Sequence, residues 1–488
     1  MDPKAEAGRG IRITKRAFLA SFIMLLALMI LAGILATVLP SGSYERSGAD
    51  AGFRVIPGSY EVREKPPYPA WRWLTAPFEV LVSGDGVQAL VIIAFIMIVG
   101  GAFAILDKAG ALAATVDYIA KRYSSRKYLL LALVSLFFMG IGALLGIFEE
   151  TIPLVPLAIA LAASLGWDVY VGLGMSILAT GFGFSAAIAN PFSIGTAQRL
   201  SGLPLFSGAG FRVLVFLAVY GILYAWLFFT ARRSEGEPRD GAAHRMPGFV
   251  ADPLPASIGI PRSASLSSHI DPSRGARVFG ISFVFLILLI VVFAAVPRLS
   301  DFSMPLIALV FLASGLGSGL ASGLGLRACT KAFLDGITGI LPGVVLILMA
   351  MSVKYIIVAG AVMDSILHWA AGFVEGASGA KAAALIYLLT LGMNFFIGSA
   401  TAKAFLLIPI LAPLADLAGI TRQVAVQAFA FGDGFSNMIY PTNAVLLISL
   451  GLAGVSWISW FKRTWLLQLF TLGLTLALLL AAQAAGYS

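Results

Sequence analysis

The stretch GIFEETIPLVPLA, Gly146 to Ala158, sets two adjacent glutamates, Glu149 and Glu150, inside a long apolar run and follows them with Pro153. Upstream, Tyr128–Phe148 is long and apolar enough to cross a bilayer, which takes roughly 20 residues. Downstream, Pro153–Leu165 has only 13 residues, short for a span. The two arms read as one re-entrant hairpin with the acidic pair at its bend, rather than as two crossings. Two roles for the acids stay open. They cap the helix Ile152–Leu165, whose amino-terminal dipole favours negative charge. Alternatively they belong to a functional site, because a charge inside a bilayer costs at least about 2.5 kcal/mol and is rarely kept without a use.

The rest of the chain supplies the membrane. Its 488 residues are 59% hydrophobic and 12% charged, a composition outside the range of soluble domains. Further apolar runs cover Ala17–Leu39, Ala89–Leu106, Phe211–Thr230, Val278–Val296, Met304–Leu324, Ile340–Val353 and Trp465–Ala482. A chain crossing lipid satisfies its backbone internally, so these are helices. Ala17–Leu39 is too long for a removed signal peptide and reads as a retained helix. One cysteine, Cys329, excludes an internal disulfide, and three histidines, His244, His269 and His368, are too scattered for a metal site. The net charge of +9 reads as positive cytoplasmic loops rather than as a nucleic-acid surface.

Basic residues set the sidedness. Five lie in the first 16 residues, five in Asp107–Lys127, and seven arginines in Ala231–Arg277, which with six prolines reads as a flexible linker. The loop Pro40–Gly86 balances five basic against six acidic residues, with Trp71 and Trp73 suited to an interface. A cytoplasmic N-terminus, an external Pro40–Gly86 loop and a hairpin that dips in from the cytoplasm put all three basic clusters inside, and the C-terminus outside.

The halves echo each other at an offset near 250. GFGFSAAIANP (Gly181–Pro191) matches GDGFSNMIYP (Gly432–Pro441), and LVPLAIALAASLG (Leu154–Gly166) matches LIPILAPLADLAG (Leu407–Gly419). The first repeat starts inward at Ala89–Leu106 and its counterpart starts outward at Ile340–Ile357, so the repeats are inverted, as in many secondary transporters. A second hairpin is expected over Lys381–Gly419, and the amphipathic connectors Ala109–Tyr123 and Ala359–Glu375 along opposite interfaces. The expected fold is an all-α polytopic membrane protein with two inverted repeats, each holding a re-entrant helical hairpin and a broken transmembrane helix. The expected divisions are an N-terminal helix and external loop (1–86), the first repeat (87–230), the cytoplasmic linker (231–277), connecting helices (278–337), and the second repeat with a C-terminal helix (338–488).

Four places break helical continuity at membrane depth: Phe148–Pro153 and Phe395–Ala404 at the hairpin tips, and Ile188–Thr196 and Ser436–Ala444 within long helices. Proline removes a backbone donor, and Asn, Ser, Thr and Gly compete for backbone groups. Such backbone persists in a membrane only where it lines a cavity or packs inside protein. Helix amino-termini at the breaks suit a carboxylate, and freed carbonyls suit a cation. The expected substrate residues are Glu149, Glu150, Thr151, Asn190, Pro191, Ser193, Ser399, Thr401, Lys403, Thr442 and Asn443. Ion or proton coupling falls to Glu149, Asp433, Ser436 and Asn437. Lys403 either pairs with one of the tip acids or faces an anionic substrate group. Asp433 is a cation ligand, a proton carrier or a structural hydrogen-bonding group. Lys354 reads as snorkelling, and His368 as an interfacial residue without chemistry.

The motifs GIFEETIPLVPL, ANPFSIGTAQRLSGLPLFSG, GSATAKAFLLIPILAPLADLAGITRQ and FGDGFSNMIYPTNAVL together resemble the C4-dicarboxylate anaerobic carrier-like family, whose YfcC-type members are described as basic amino-acid antiporters. The resemblance runs from VLPSGSYER (Val38–Arg46) to WFKRTWLLQLF (Trp460–Phe470) and lapses only in the linker. That family is similar to the ion transporter superfamily. The resemblance implies inverted repeats, a homodimer through a scaffold domain, elevator-like movement and a multi-pass protein of the bacterial inner membrane. Superfamily members carry Ser-Asn-Thr at their hairpin tips; here Thr151, Ser399 and Thr401 alone stand in. The acidic first tip instead suits a substrate amine or guanidinium, or a proton-coupled cycle.

The function expected is secondary active transport of a small carboxylate-bearing metabolite, an amino acid or a C4-dicarboxylate. The partners expected are the small-molecule substrate and the lipid bilayer, without nucleic acid. In this picture Asn190, Ser193, Ser399, Thr401, Thr442 and Asn443 bond the carboxylate. No cofactor beyond bound Na+ or a proton is expected, since GSATAKA lacks the second glycine and the Ser/Thr of a phosphate loop. A channel is the second class. An intramembrane enzyme is the third, resting on Asp117 and Asp433, with no nucleophile–histidine pair to support it.

Overall fold

The computed structural model describes residues 15–47, 54–236, 270–295 and 302–488. The basic residues of the N-terminus before Lys15, the central part of the expected linker, and His244 and His269 lie outside the described residues.

Helices dominate because a chain this apolar must close its backbone hydrogen bonds within each crossing. In order they are α1 (Lys15–Val38), α2 (Trp71–Glu79), α3 (Gly86–Lys108), α4 (Ala111–Tyr123), α5 (Lys127–Leu145), α6 (Val155–Ser164), α7 (Val169–Leu173), α8 (Ala179–Ala186), α9 (Thr196–Leu200) and α10 (Ala209–Gly236). There follow α11 (Pro272–Ala295), α12 (Ser303–Ala321), α13 (Leu326–Ala359), α14 (Met363–Gly372), α15 (Gly379–Asn394), α16 (Ala400–Leu417), α17 (Arg422–Phe435), α18 (Ala444–Leu452) and α19 (Trp457–Ala484). Ten helical stretches among the described residues are long and apolar enough to cross a membrane. α13 is one continuous helix through Pro342, where a separate span beginning near Ile340 was expected. Arg327 and Lys331 lie in its first two turns, and charges near a helix end do not stop a helix.

Burial separates a centre from a rim. The most apolar window within Val169–Leu200 is 94% buried, whereas that of α11 is 17% buried. Ile281, Val284, Phe285 and Leu288 of α11 point outward, an exposure suited to lipid. In the centre α5 packs along α8, α15 along α17, and α8 crosses α17. Small residues permit these approaches, as is usual between membrane helices: a Cβ on Gly434 of α17 would overlap Ser185 of α8.

The segment after α1 is fastened to the α13–α14 junction. Residues 42–43 pair with 61–62, and 46–47 with 54–55, in two short antiparallel ribbons. The Gly42 amide donates to Ala361 (3.1 Å) and the Tyr44 amide to the Asp364 carboxylate (3.0 Å). Arg46 forks onto both oxygens of Asp364, at 2.7 and 2.8 Å. His368 stacks on Tyr60 and shares a hydrogen bond with the Tyr44 hydroxyl (3.1 Å). Lys354, expected to snorkel, is instead paired with Asp85 at 2.7 Å. Asp364→Ala leaves a buried amide and a guanidinium without their acceptor. The expected cost is about 1.5–3 kcal/mol, read as a lower melting temperature and faster proteolysis between Ser41 and Tyr68.

Candidate functional site

All four expected interruptions are present. α5 ends at Gly146, whose left-handed backbone (φ +67°) turns the chain out of the helix before a tight turn over Glu149–Leu154 leads into α6. α8 ends at Ala187, also left-handed at φ +48°, and the helix restarts at Pro191. α15 and α16 are parted by residues 395–399, and α17 and α18 by 436–443. A non-glycine residue held left-handed stores strain, which concentrates at functional breaks.

These segments form a closed ring. A Cβ on Gly146 would meet the Asn190 side chain and the Phe192 ring, so the first tip lies against the first break. The Thr401 hydroxyl donates to the Phe192 carbonyl (3.1 Å), tying the first break to the second tip. The Thr442 hydroxyl donates to the Phe395 carbonyl (2.7 Å), tying the second tip to the second break. α18 then packs on the Glu149–Leu154 turn and closes the circle. Gly146→Ala forces a left-handed alanine into occupied space, at an expected cost of about 1–2 kcal/mol from the backbone alone, visible as a lower melting temperature.

The side chains expected to hold a carboxylate are engaged with the backbone. Asn190 Oδ1 accepts from the Phe192 and Ser193 amides (2.9 and 3.2 Å), Ser399 Oγ from Ala402, and Asn443 Oδ1 from Leu446 (3.0 Å). Each is therefore a helix cap, with Pro191 at the first helical position, where its missing N–H does no harm. Helix starts expected to be open are thus partly self-capped; a cap uses one or two of about four free amides. Ser193 Oγ is buried and unpartnered. Thr151 donates to Phe148 (2.7 Å) within the tip. Asn190→Ala removes two bonds from the helix restart, with an expected loss of about 1–2 kcal/mol, read as a lower melting temperature in a thermal scan.

The charges sort differently from expectation. Lys403 pairs with neither tip glutamate and faces no open space: it is fully buried and bonds Asp433 Oδ1 at 2.5 Å. It also donates to Asn394 Oδ1. The Asn394 amide donates in turn to Ser436 Oγ (2.7 Å) and Asn437 Oδ1 (2.9 Å), and Asn443 also donates to Asn437 (3.0 Å). The reason is geometric: Lys403, in the first turn of α16, points inward at α17, which is buried from Gln423 to Phe435. Glu149 and Glu150 keep partial exposure. Glu150 accepts from Ser303 of α12 (2.9 Å), and Glu149 lies within the electrostatic reach of Glu150 and Asp433.

Asn394, Ser303 and Arg212 were not singled out from the sequence. Asn394 is an amide inside an otherwise apolar arm, which was the available signal. Arg212 is fully buried and donates to the carbonyls of Ile188 (3.1 Å), Phe206 (3.0 Å) and Ser207 (2.7 Å), fixing the first break from outside the ring. An open groove of about 470 Å³ on α13, lined by Arg327, Lys331 and Asp335 among others, contains none of these residues. Asp117 of α4 is half-buried and takes no part in the ring.

Membrane-length helices enclosing a polar ring of interrupted backbone describe a multi-pass membrane protein of the transporter class. The chain belongs to the C4-dicarboxylate anaerobic carrier family, whose profile matches residues 18–484. It is 29% identical over 430 residues to the "Putative basic amino acid antiporter YfcC" of Escherichia coli (strain K12), covering 84% of this chain and 81% of that one. It is 26% identical over 418 residues to an uncharacterized protein of Haemophilus influenzae, covering 83% and 77%. Among solved structures it is similar to the Alcanivorax borkumensis YdaH transporter, at 18% identity and a TM-score of 0.44 over 96% of this chain and 99% of that one. The family resemblance read from the motifs thus extends over the whole chain.

Proposed function

We propose that this protein is a secondary active transporter of a small metabolite that carries both a carboxylate and a cationic group, a basic amino acid foremost. The observation that carries the reading is the division of charge. Glu149 and Glu150 of the first tip remain partly exposed, whereas Lys403 is spent on Asp433. A dicarboxylate entering there meets two acids and no free lysine. An amine or guanidinium meets a partner, while the substrate's carboxylate takes backbone amides that the Ser399 cap leaves free at the start of α16. The name borne by the Escherichia coli relative points the same way.

The ordered recurrence of elements supports inverted repeats: α3, α4, α5, α6 and the broken α7–α9 correspond to α13, α14, α15, α16 and the broken α17–α18. In this reading α5–α6 and α15–α16 are re-entrant hairpins, and the ring moves elevator-fashion against a scaffold that includes α1, α3 and α13 and joins two copies. The sidedness is that of the charge count, with a cytoplasmic N-terminus, an external C-terminus and the bacterial inner membrane as site. Energy comes from an ion or counter-substrate gradient.

The test is thermal unfolding of the purified protein with lysine, arginine, neutral amino acids, succinate and fumarate. Ligands that bind only the folded state raise its melting temperature by mass action. Basic amino acids should raise it and C4-dicarboxylates should not; the reverse order would transfer the assignment to dicarboxylates.

A further inference from the structure

The most unusual group in the ring is not at its surface. Lys403 and Asp433 are both completely removed from solvent. The ammonium is bonded by Asp433 Oδ1 and Asn394 Oδ1. Behind these stand Ser436 Oγ and Asn437 Oδ1, linked through the Asn394 amide. The residues come from α15, α16, α17 and the turn after it, where α17 gives up regular geometry. A carboxylate oxygen and an amide oxygen meeting the ammonium beside a helix break form the kind of oxygen setting that hard monovalent cations take, with Ser436 Oγ and Asn437 Oδ1 turned to the Asn394 amide nitrogen behind it. Here the positive charge at its centre is covalently part of the chain. Asp433 Oδ2 is also buried and has no hydrogen-bond partner, so the acid retains acceptor capacity that the lysine does not use.

We propose that Lys403 is a resident cation: its ammonium fills, from within the chain, the position that a monovalent metal ion would occupy between α15, α16 and α17. The carrier accordingly needs no sodium to fold its core or to close the ring, and the charge compensating Asp433 travels with the protein in both directions of the cycle. This rests on the transporter reading for its mechanistic meaning, but the site itself is defined by Lys403, Asp433 and Asn394 alone. A buried carboxylate without a counter-charge is strongly unfavourable, so vacating the lysine position should create a demand for a small cation.

The experiment compares melting temperatures of purified wild type, Lys403→Ala and Lys403→Ala/Asp433→Asn in sodium, lithium, potassium and choline chloride at equal ionic strength. Wild type should melt at the same temperature in all four salts. Lys403→Ala should melt well below wild type in choline and rise steadily with the logarithm of sodium or lithium concentration, as linkage requires. The double variant, with no carboxylate to compensate, should lose that response. Wild type stabilised by sodium over choline overturns the proposal, as does a folded Lys403→Ala that ignores the cation. If Lys403→Ala does not fold, Lys403→Ser is the second variant; failure of both in every salt also overturns it, because the vacated position then takes no cation. Substrate counterflow by wild type in sodium-free proteoliposomes separates the two readings. Its absence in every salt, with the melting responses intact, sinks the transporter reading and leaves the resident cation standing.

Discussion

Lys403→Met is expected to destabilise the protein by about 3–5 kcal/mol, the range found when one member of a buried ion pair is removed. Methionine keeps the length and volume of the lysine, so the loss is electrostatic rather than a packing defect. It strands Asp433, which is fully buried and whose other oxygen already lacks a partner. It also removes a donor from Asn394, the amide that links α15 to the turn after α17. Adding Asp433→Asn should recover most of the loss, because a neutral pair of similar volume often replaces a buried ion pair at little cost. Thermal unfolding of the two single variants and the double variant gives the coupling directly. Additive losses would show that the two charges do not compensate each other.

Glu149→Gln and Glu150→Gln are expected to cut transport of a cationic substrate heavily while leaving the fold in place. Truncating one side of a buried, hydrogen-bonded charge pair costs about 2–5 kcal/mol, which corresponds to roughly thirtyfold to beyond a thousandfold in affinity. Glutamine keeps the shape and the acceptor oxygen, so the Glu150→Gln side chain can still accept from the Ser303 hydroxyl that Glu150 now uses at 2.9 Å. A helix-capping role gives the opposite pattern, with a small shift in melting temperature and normal transport. The two glutamates differ in surroundings: Glu150 accepts from Ser303 of α12, and Glu149 has no such side-chain hydrogen bond among the described residues. The larger transport loss is therefore expected at Glu149, the acid without a protein hydroxyl to hold it. Initial rates of uptake into proteoliposomes, normalised to inserted protein, decide between the two roles.

The breaks were legible because they are written locally. Pro153, Pro191 and Pro441, with their neighbouring Asn, Ser, Thr and Gly, interrupt runs that are otherwise uniformly apolar, and no other local cause for such residues exists in lipid. That the four breaks close into a ring was not read from the sequence, which required only that each find polar company the bilayer does not supply. What was not legible depends on side-chain direction across helices. Lys403 finds Asp433 thirty residues away on a neighbouring helix, and neither its repeat position nor its proximity to the tip indicates that it turns inward. Ser303 reaches Glu150 from beyond the segment between the halves, a distance no local pattern bridges. Asn190, Ser399 and Asn443 carried the right residue types, but a cap and a substrate ligand use the same oxygen, and composition does not distinguish them. One span length erred for a related reason: the apolar run from Ile340 marks only part of α13, whose start carries the exposed Arg327 and Lys331.

The most direct measurement of the central claim is counterflow. Proteoliposomes loaded with a high concentration of unlabelled basic amino acid and diluted into a trace of the labelled compound should accumulate label transiently above its external concentration. A binding ring that opens alternately to the two sides, with Glu149 and Glu150 at its mouth, predicts that overshoot and predicts its loss in the glutamine variants. Flux that grows in proportion to concentration, with no overshoot for any charged metabolite, would mean that the interrupted helices surround a pore and would contradict the account.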